Sequence, residues 1–407
     1  VPVQELLPRL VPRIVKDKLR PLKHLADFQR LPAAAKAAVR LDRSGDRRAD
    51  PGIEAAVAAS LDWLRAAQDN SVSRDGGVAR HYNLVSGWAP SYPETTGYIV
   101  PTLITQARLR GDADLRNRAR RMLDWLVSIQ FPEGGFQGGM VGQTPRVPVT
   151  FNTGQILLGL AAGVAEFGDA YRPAMEKAAD WLAGSQDADG CWRRFPTPFA
   201  RADDKSYETH VAWGLLEAAR IDPSRGWGEA GLAQVRWAIG RQRPNGWMAD
   251  CCLEEPHRPL THTLGYALRG ILEASRFSPD PEFRAAGIRL ADGLLGCVGP
   301  DGALPGRLTA EWKPAVPWVC LTGAVQVAHC WLMLYQDTGD ARYRDAALKV
   351  NAHVRRTVET AGPPETRGGV KGSFPVDGGY GTFEYLNWAA KFFIDANELE
   401  REVAGRR

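Results

Sequence analysis

The residues best suited to moving protons stand at the starts of apolar runs. His210 follows Glu208 and Thr209, and His262 lies between Thr261 and Thr263. Glu94, Tyr98, Asn152, Gln155, Tyr266, Cys320, Glu384, Tyr385 and Asn387 occupy comparable places along the chain. Histidine alone changes charge near neutrality unaided, so His210 and His262 are the expected proton carriers. Tyr266 and Tyr385 are the expected acids, and Glu94 and Glu208 supply carboxyls. His329, two turns into its helix, and His353, on an outer helix, are expected to be structural.

For these residues to meet, the segments that carry them must converge, and they recur at a nearly fixed period. The markers Thr96, Thr153, Thr209, Thr263, Thr322 and Tyr385 are spaced 57, 56, 54, 59 and 63 apart. Each precedes a strongly apolar stretch, so Thr96, Thr153, Thr209 and Thr322 are expected to cap helices. A second series alternates with the first: Trp63/Gln68, Trp125/Gln130, Trp181/Gln186 and Trp237/Gln242, with the tryptophans 62, 56 and 56 apart. A degenerate copy follows at Gly293 and a sixth over 340–356. These segments are amphipathic; in 113–130, Leu115, Ala119, Met122, Leu123, Leu126 and Ile129 share one face. Acid-or-Asn followed by Gly then supplies a turn, as at Glu133-Gly134 and Asn245-Gly246. The pattern predicts an all-α fold, an (α/α)6 barrel or toroid over 51–400, with six amphipathic outer helices around six buried inner ones. A basic helical arm, 1–50, precedes it and a tail, 401–407, follows.

Composition agrees with a globular chain: 407 residues, 44% hydrophobic, 24% charged, net charge +4. Residues 1–48 hold twelve Lys/Arg against five acids, leaving the remainder close to neutral. The arm is expected to pack through Leu6, Leu7, Leu10 and Val11, with contact to a polyanion or membrane surface as the sharper alternative. No nucleic-acid partner is expected. No apolar run approaches the roughly 20 residues of a membrane span, and no signal-type apolar core opens the chain. Six cysteines without paired CxxC spacing suggest free thiols in a reducing compartment, hence a cytoplasmic location.

The strings Gln130-Phe-Pro-Glu-Gly-Gly-Phe136 and Gln186-Asp-Ala-Asp-Gly-Cys-Trp192 resemble the Gln/Trp repeats of squalene-cyclase and protein-prenyltransferase toroids. Ser91-Tyr-Pro-Glu-Thr-Thr-Gly-Tyr98, Phe151-Asn-Thr-Gly-Gln155 and Cys320-Leu-Thr-Gly323 resemble poorly characterised bacterial toroid proteins often associated with exopolysaccharide synthesis. Six-hairpin glycosidases, polysaccharide lyases and uronate epimerases share the architecture. The resemblance is specific for architecture and poor for activity.

Connections from outer to inner helices run about 19 to 27 residues, long enough to be functional loops, and they gather where the inner helices begin. Converging helix N-termini favour an anionic ligand. The loops supply Arg80, Arg146, Arg193, Arg194, Arg201, Lys205, Arg258, Arg307 and Lys313, with Trp88, Trp192, Trp247, Trp312 and Trp318 suited to sugar rings or isoprenoid chains. The leading expectation is proton abstraction at C5 of a uronate in an acidic glycan, by a C5-epimerase or lyase without a cofactor. His210 would be the base, Tyr266 or Tyr385 the acid, and Arg193 or Arg201 the carboxylate clamp. Tyr98, Asn152, Gln155, Trp192, Trp247, Trp318, Glu384 and Asn387 would contact the sugar.

Three alternatives stand beside it. A glycoside hydrolase of the six-hairpin type would use two carboxyls among Glu94, Glu208 and Glu384. A glycan-binding module would use the same funnel without catalysis. A zinc site like that of the toroid prenyltransferases would draw on Asp250, Cys252, His262 and Cys320. Protonation-initiated terpene cyclisation is disfavoured, because Asp203-Asp204 is all that approaches the acidic donor motif.

Overall fold

The computed structural model describes residues 13–45, 48–201 and 204–405. Leu6, Leu7, Leu10, Val11 and Asp203 lie outside them. The arm contributes helices α1 (Arg13–Arg30) and α2 (Ala33–Arg43). Outer helices are α3 (Ile53–Asp69), α5 (Ala113–Ile129), α7 (Arg172–Ser185), α9 (Trp227–Ile239), α11 (Pro281–Leu295) and α13 (Ala341–Arg355). Inner helices are α4 (Pro93–Arg110), α6 (Thr150–Phe167), α8 (Thr209–Ile221), α10 (Thr261–Phe277), α12 (Leu321–Thr338) and α14 (Asn387–Gly405). Each inner helix packs on the next, and α14 returns to α4 and α3, so the ring closes as an (α/α)6 barrel. Residues 401–405, expected in a tail, instead continue α14, where Val403 is buried.

Small residues let the inner helices touch backbone to backbone. A Cβ on Gly97 would lie 2.5 Å from Ile156 Cα, one on Gly214 would lie 2.5 Å from the Gly154 carbonyl oxygen, and one on Gly323 would lie 2.5 Å from His262 N. These contacts draw the first turns of α4, α6, α8, α10 and α12 towards one axis.

The outer ring is locked by its glutamines. Gln186 Nε2 donates to the carbonyls of Gly190 in the following turn and Ala230 in the next outer helix, both at 2.8 Å. Gln130 repeats the arrangement with Gly134 and Ala174, and Gln242 with Gly246 and Ala286. The turn glycines Gly76, Gly134, Gly190, Gly246 and Gly302 all have φ between +84° and +110°, a region costly for other residues. At the degenerate copy the missing tryptophan is replaced from a loop: Trp312 lies on Gly293, packs edge-on to Trp247 at 5.2 Å and donates to the Asn245 carbonyl.

Among the described residues the loops contain five short strands, which helical periodicity does not announce. β1 (His81–Asn83) pairs with β2 (Gly87–Trp88) and with β5 (Glu384–Leu386), so the first and last long loops share one sheet with Tyr82 opposite Tyr385. β3 (Val319–Cys320) pairs with β4 (Ser373–Phe374). The threonines do not cap. Thr96 and Thr153 donate to carbonyls one turn back (Tyr92 and Val149) and accept from Val78 N and Phe136 N, which pins each loop to its inner helix.

The arm docks on loop 356–386. Leu31, Ala35 and Val39 pack with Val376 and Phe383, and Asp42 accepts from Lys371 Nζ at 2.7 and 2.9 Å, with both side chains buried. Among the described residues no helix is long and apolar enough to cross a membrane, and all six cysteines are buried and free.

Two stability outcomes are expected. Asp42→Ala leaves a buried ammonium without its partner and should cost about 3–5 kcal/mol in urea unfolding. Gly214→Ala should cost about 1–3 kcal/mol by forcing α6 and α8 apart; an unchanged midpoint would show that the helices can separate freely.

Candidate active site

At the end where the inner helices begin lies a cavity of about 470 Å³. Its walls are aromatic, from Tyr92, Tyr98, Phe151, Tyr207, Tyr266, Tyr380 and Trp388, with Glu94, Asn152, His262, Arg80 and Arg307 among them. Met140, Phe199 and Leu253 from the long loops complete the lining.

Glu94 stands at the second position of α4, placed there by Pro93 at the start of the helix. Its Oε2 accepts from Tyr92 Oη at 2.6 Å and from Asn152 Nδ2, on the neighbouring α6, at 3.0 Å. Burial outweighs those bonds and the nearby Arg80, and it raises the carboxyl to about 7. His262 moves the other way: burial lowers it to about 4, so the imidazole is neutral at neutrality, with Nδ1 2.6 Å from Gln326 Oε1. Tyr98 and Tyr266 bring their hydroxyls to 3.5 Å, and burial raises both well above the ordinary phenol range. These phenols keep their protons.

The two guanidinium groups are held from behind. Arg80 donates to Glu384 Oε2 at 3.0 Å and lies 4.9 Å over the Trp388 ring. Trp388 in turn donates to Tyr380 Oη at 2.9 Å. Arg307 is 3.2 Å from Glu255 and donates to the Arg258 carbonyl.

Of the expected site residues, Glu94, Tyr98, Asn152, His262 and Tyr266 are brought together on this cavity. The others are not among its lining, for reasons that differ. His210 turns sideways between inner helices, with Nδ1 2.6 Å from Gln155 Oε1 and its ring against Tyr266 and Trp213; burial drives it well below the ordinary imidazole range. Gln155 is thereby taken up as its partner. Glu208 lies in a 3₁₀ turn ahead of α8, where burial raises its carboxyl to about 8, and its neighbour Tyr207 takes the cavity wall. Glu384 and Tyr385 belong to β5, not to a helix; Glu384 braces Arg80, and Tyr385 is buried in the sheet. Asn387 ties α14 to the Ala79 carbonyl.

The expected loop tryptophans serve the packing. Trp192 is buried and donates to the Leu182 carbonyl, Trp247 packs on Trp312, and Trp318 lies on Gly306 and Gly379. Arg193 is drawn outward to Asp187, Asp189 and Asp204. Arg201 is exposed, its backbone N–H bonded to the Leu253 carbonyl. The proposed zinc ligands have other partners: Asp250 pairs with Arg241, Cys320 accepts from Gly323 N at the start of α12, and His262 bonds Gln326. Among the described residues no three His, Cys, Asp or Glu side chains converge on a metal position.

Periodicity points to neither Tyr380, which sits in a glycine-rich turn, nor Phe199. Trp388 and Tyr207 each adjoin an expected residue, so a shift of one position would have found them.

No family model and no curated protein matches the sequence. Solved structures do match the fold. An unsaturated glucuronyl hydrolase specific for heparin superposes with a TM-score of 0.70 at 16% identity, covering 87% of this chain and 98% of that one. Cellobiose 2-epimerase from Bacillus thermoamylovorans gives 0.67 at 12%, covering 88% and 98%. A D-mannose isomerase gives 0.68 at 11%, covering 86% and 97%. At such identities the likeness is one of fold.

Because the folded state holds the Glu94 proton more tightly than the unfolded chain, whose value is 4.5, this group's contribution to stability falls as pH rises from about 4.5 to about 7. The loss amounts to on the order of 3 kcal/mol above that range. Glu94→Gln should therefore be the more stable protein near pH 8, with the difference gone below about pH 4.5, as read by urea unfolding at each pH.

Proposed function

We propose that this chain is a carbohydrate-active enzyme that transfers a proton at the carbon beside the carboxylate of a uronate-containing saccharide, with Glu94 as the proton-transferring group. The observation that carries the reading is a single buried carboxyl whose proton affinity matches neutral pH, set in an aromatic pocket with two arginines. A general base works best with its pKa near the working pH. The uronate carboxylate would be received by Arg80 and Arg307, and the inner-helix N-termini add positive potential to the same mouth. The aromatic walls suit the apolar faces of a sugar ring. His210, the first-named base on sequence grounds, gives way to Glu94 in this reading because its ring faces Gln155 instead of the cavity.

In the forward step Glu94 takes the C5 proton, and the negative charge spreads into the carboxylate held by the arginines. The protonated phenol of Tyr98 or Tyr266 can then return a proton to the opposite face, which gives the epimer. Cleavage of the C4–O bond instead, with the same phenol protonating the departing oxygen, gives an unsaturated end, which is the lyase outcome.

A second reading is hydrolysis at an unsaturated uronic residue, with Glu94 as acid. It is favoured by the same raised carboxyl, which is protonated below about pH 7, and by the activity for which the heparin-specific structural neighbour is named. A mechanism with two carboxyls would pair Glu94 with Glu254, the other acid on the cavity lining.

One assay separates these outcomes. The protein is incubated in D2O with uronate polymers and, separately, with their unsaturated disaccharides, while absorbance near 232 nm and proton NMR are followed. Rising absorbance marks a lyase, deuterium at C5 without cleavage an epimerase, and falling absorbance on the unsaturated substrate a hydrolase. Glu94→Gln should lower kcat by about 10²–10⁴-fold in each case. If Glu94 is the base, activity should rise with pH through about 7, and if it is the acid, activity should fall there. Full activity in Glu94→Gln would remove the proposal.

A further inference from the structure

The arm has two faces, and the barrel covers only one of them. In α2, Ala35, Val39 and Asp42 are buried against loop 356–386, whereas Ala33, Ala34, Ala37 and Leu41 are exposed. With about 3.6 residues per turn, Ala33, Ala37 and Leu41 fall opposite the buried side, and Lys36, Arg40 and Arg43 form the row beside them. The described side chains of α1 repeat this arrangement. Phe28 packs on the same cluster, while Leu22, Leu25, Ala26 and Gln29 are exposed, with Lys23 and Arg30 alongside. Both buried faces meet Val376 and Phe383, so both outer faces point away from the same loop. Leu22 is 63% exposed, Leu25 55% and Leu41 41%. Three of the seven large apolar side chains exposed among the described residues therefore fall on this short arm.

Charge is concentrated in the same place. Residues 13–43 carry nine Lys/Arg against Asp17, Asp27 and Asp42. Asp42 is taken up by Lys371 on the inner side, and Asp27 lies 3.7 Å from Arg30. Lys23 and Arg40 form no ion pair among the described residues. A nucleic acid would engage these cations and leave the leucines in water. A second copy of the chain would cover the leucines but bring like charges together. An anionic bilayer answers both features, since its headgroup boundary accepts apolar side chains and its phosphates attract the flanking cations.

We propose that the outer face of the arm docks on an anionic lipid surface, with Leu22, Leu25 and Leu41 entering the headgroup layer and Lys23, Arg30, Lys36 and Arg40 meeting the lipid phosphates. A few leucines and a few cations make a peripheral, reversible contact. The arm is seated on loop 356–386, which also carries Tyr380 to the aromatic cavity, so the docked surface lies at that end of the barrel. The docking is independent of the reaction assigned to the cavity.

Co-sedimentation of the intact protein tests this, with vesicles of phosphatidylcholine and phosphatidylglycerol compared with vesicles of phosphatidylcholine alone. Binding is expected to the anionic vesicles only, and raising the salt from about 0.05 to about 0.5 M should release it. Lys23→Gln/Arg40→Gln should weaken binding at least about tenfold, and Leu22→Ser/Leu25→Ser should weaken it by at least about the same factor. All four side chains are exposed, so the variants should fold as the wild type does, which urea unfolding would confirm. Absence of binding by the wild type, or equal binding to neutral vesicles, would overturn the proposal. So would binding unchanged in the leucine variant, which marks a plain polyanion contact, or unchanged in the charge variant. A dimer that Leu22→Ser/Leu25→Ser converts to monomer would assign the face to a second copy and overturn it equally. Should one variant fail to fold, the other decides together with the comparison of lipids.

Discussion

The close approach of the inner helices is the constraint on which the rest of this protein depends. Gly97, Gly154, Gly214 and Gly323 remove the side chains that would hold α4, α6, α8, α10 and α12 apart. The ring is then narrow enough for the first-turn residues of different helices to touch. Glu94 on α4 meets Asn152 on α6, and Tyr98 on α4 meets Tyr266 on α10. The same close packing buries these groups, and burial moves the two kinds of acid–base group in opposite directions. A carboxyl is pushed up towards neutrality while the imidazoles are pushed down out of reach. The group with the better intrinsic pKa for neutral chemistry thus loses that advantage on burial, and the group with the poorer one gains it.

Around this ring the outer helices form a lattice of repeated bonds. Each glutamine ties the end of its helix to the following turn and to the next outer helix, so that one side chain satisfies two carbonyls. Where the repeat decays at Gly293, Trp312 restores the lost ring from another part of the chain, its backbone at φ +58°. Closure of the circle falls to the segments least like the rest: the sheet that joins loop 70–92 to loop 356–386, and the arm with its Asp42–Lys371 pair. Both stabilise the loop that carries Tyr380 to the cavity.

The barrel is polar along its axis in the electrostatic sense. One mouth collects helix N-termini and the other helix C-termini, while both linings mix acids with bases: Glu94 and Glu254 with Arg80 and Arg307 at the first, Glu217 and Glu398 with Arg220, Arg269 and Lys391 at the second. The partition between them is one layer of side chains thick. Lys391, at the rear, lies 5.4 Å from the ring centroid of Tyr98, which lines the front. His210 and Trp213 make the same passage, the histidine packing on Tyr266 and the tryptophan lining the rear chamber.

Periodicity belongs to the sequence, and from it the twelve-helix barrel, its inner and outer faces and the end where the long loops gather could all be read. Those features follow from apolar spacing, turn glycines and loop lengths, which are local. Direction around a helix is not local in the same way. His210 and His262 hold matching places in their segments and each bonds a glutamine of a neighbouring inner helix, Gln155 on the one before and Gln326 on the one after, yet only His262 reaches the cavity lining. Tyr385 carries the sixth marker but lies in a strand, since its partner Tyr82 is some 300 residues away and invisible to any local pattern. Loop tryptophans are taken up by packing for the same reason: Trp312 lies on Gly293 and Trp318 on Gly379, contacts made outside their own stretch of chain. The sequence by itself determined the architecture and the set of residues that could react. Only the tertiary structure decided which of them share a cavity and at what pH they titrate, because burial and neighbours, the two terms that shift a pKa, exist only once the ring has closed.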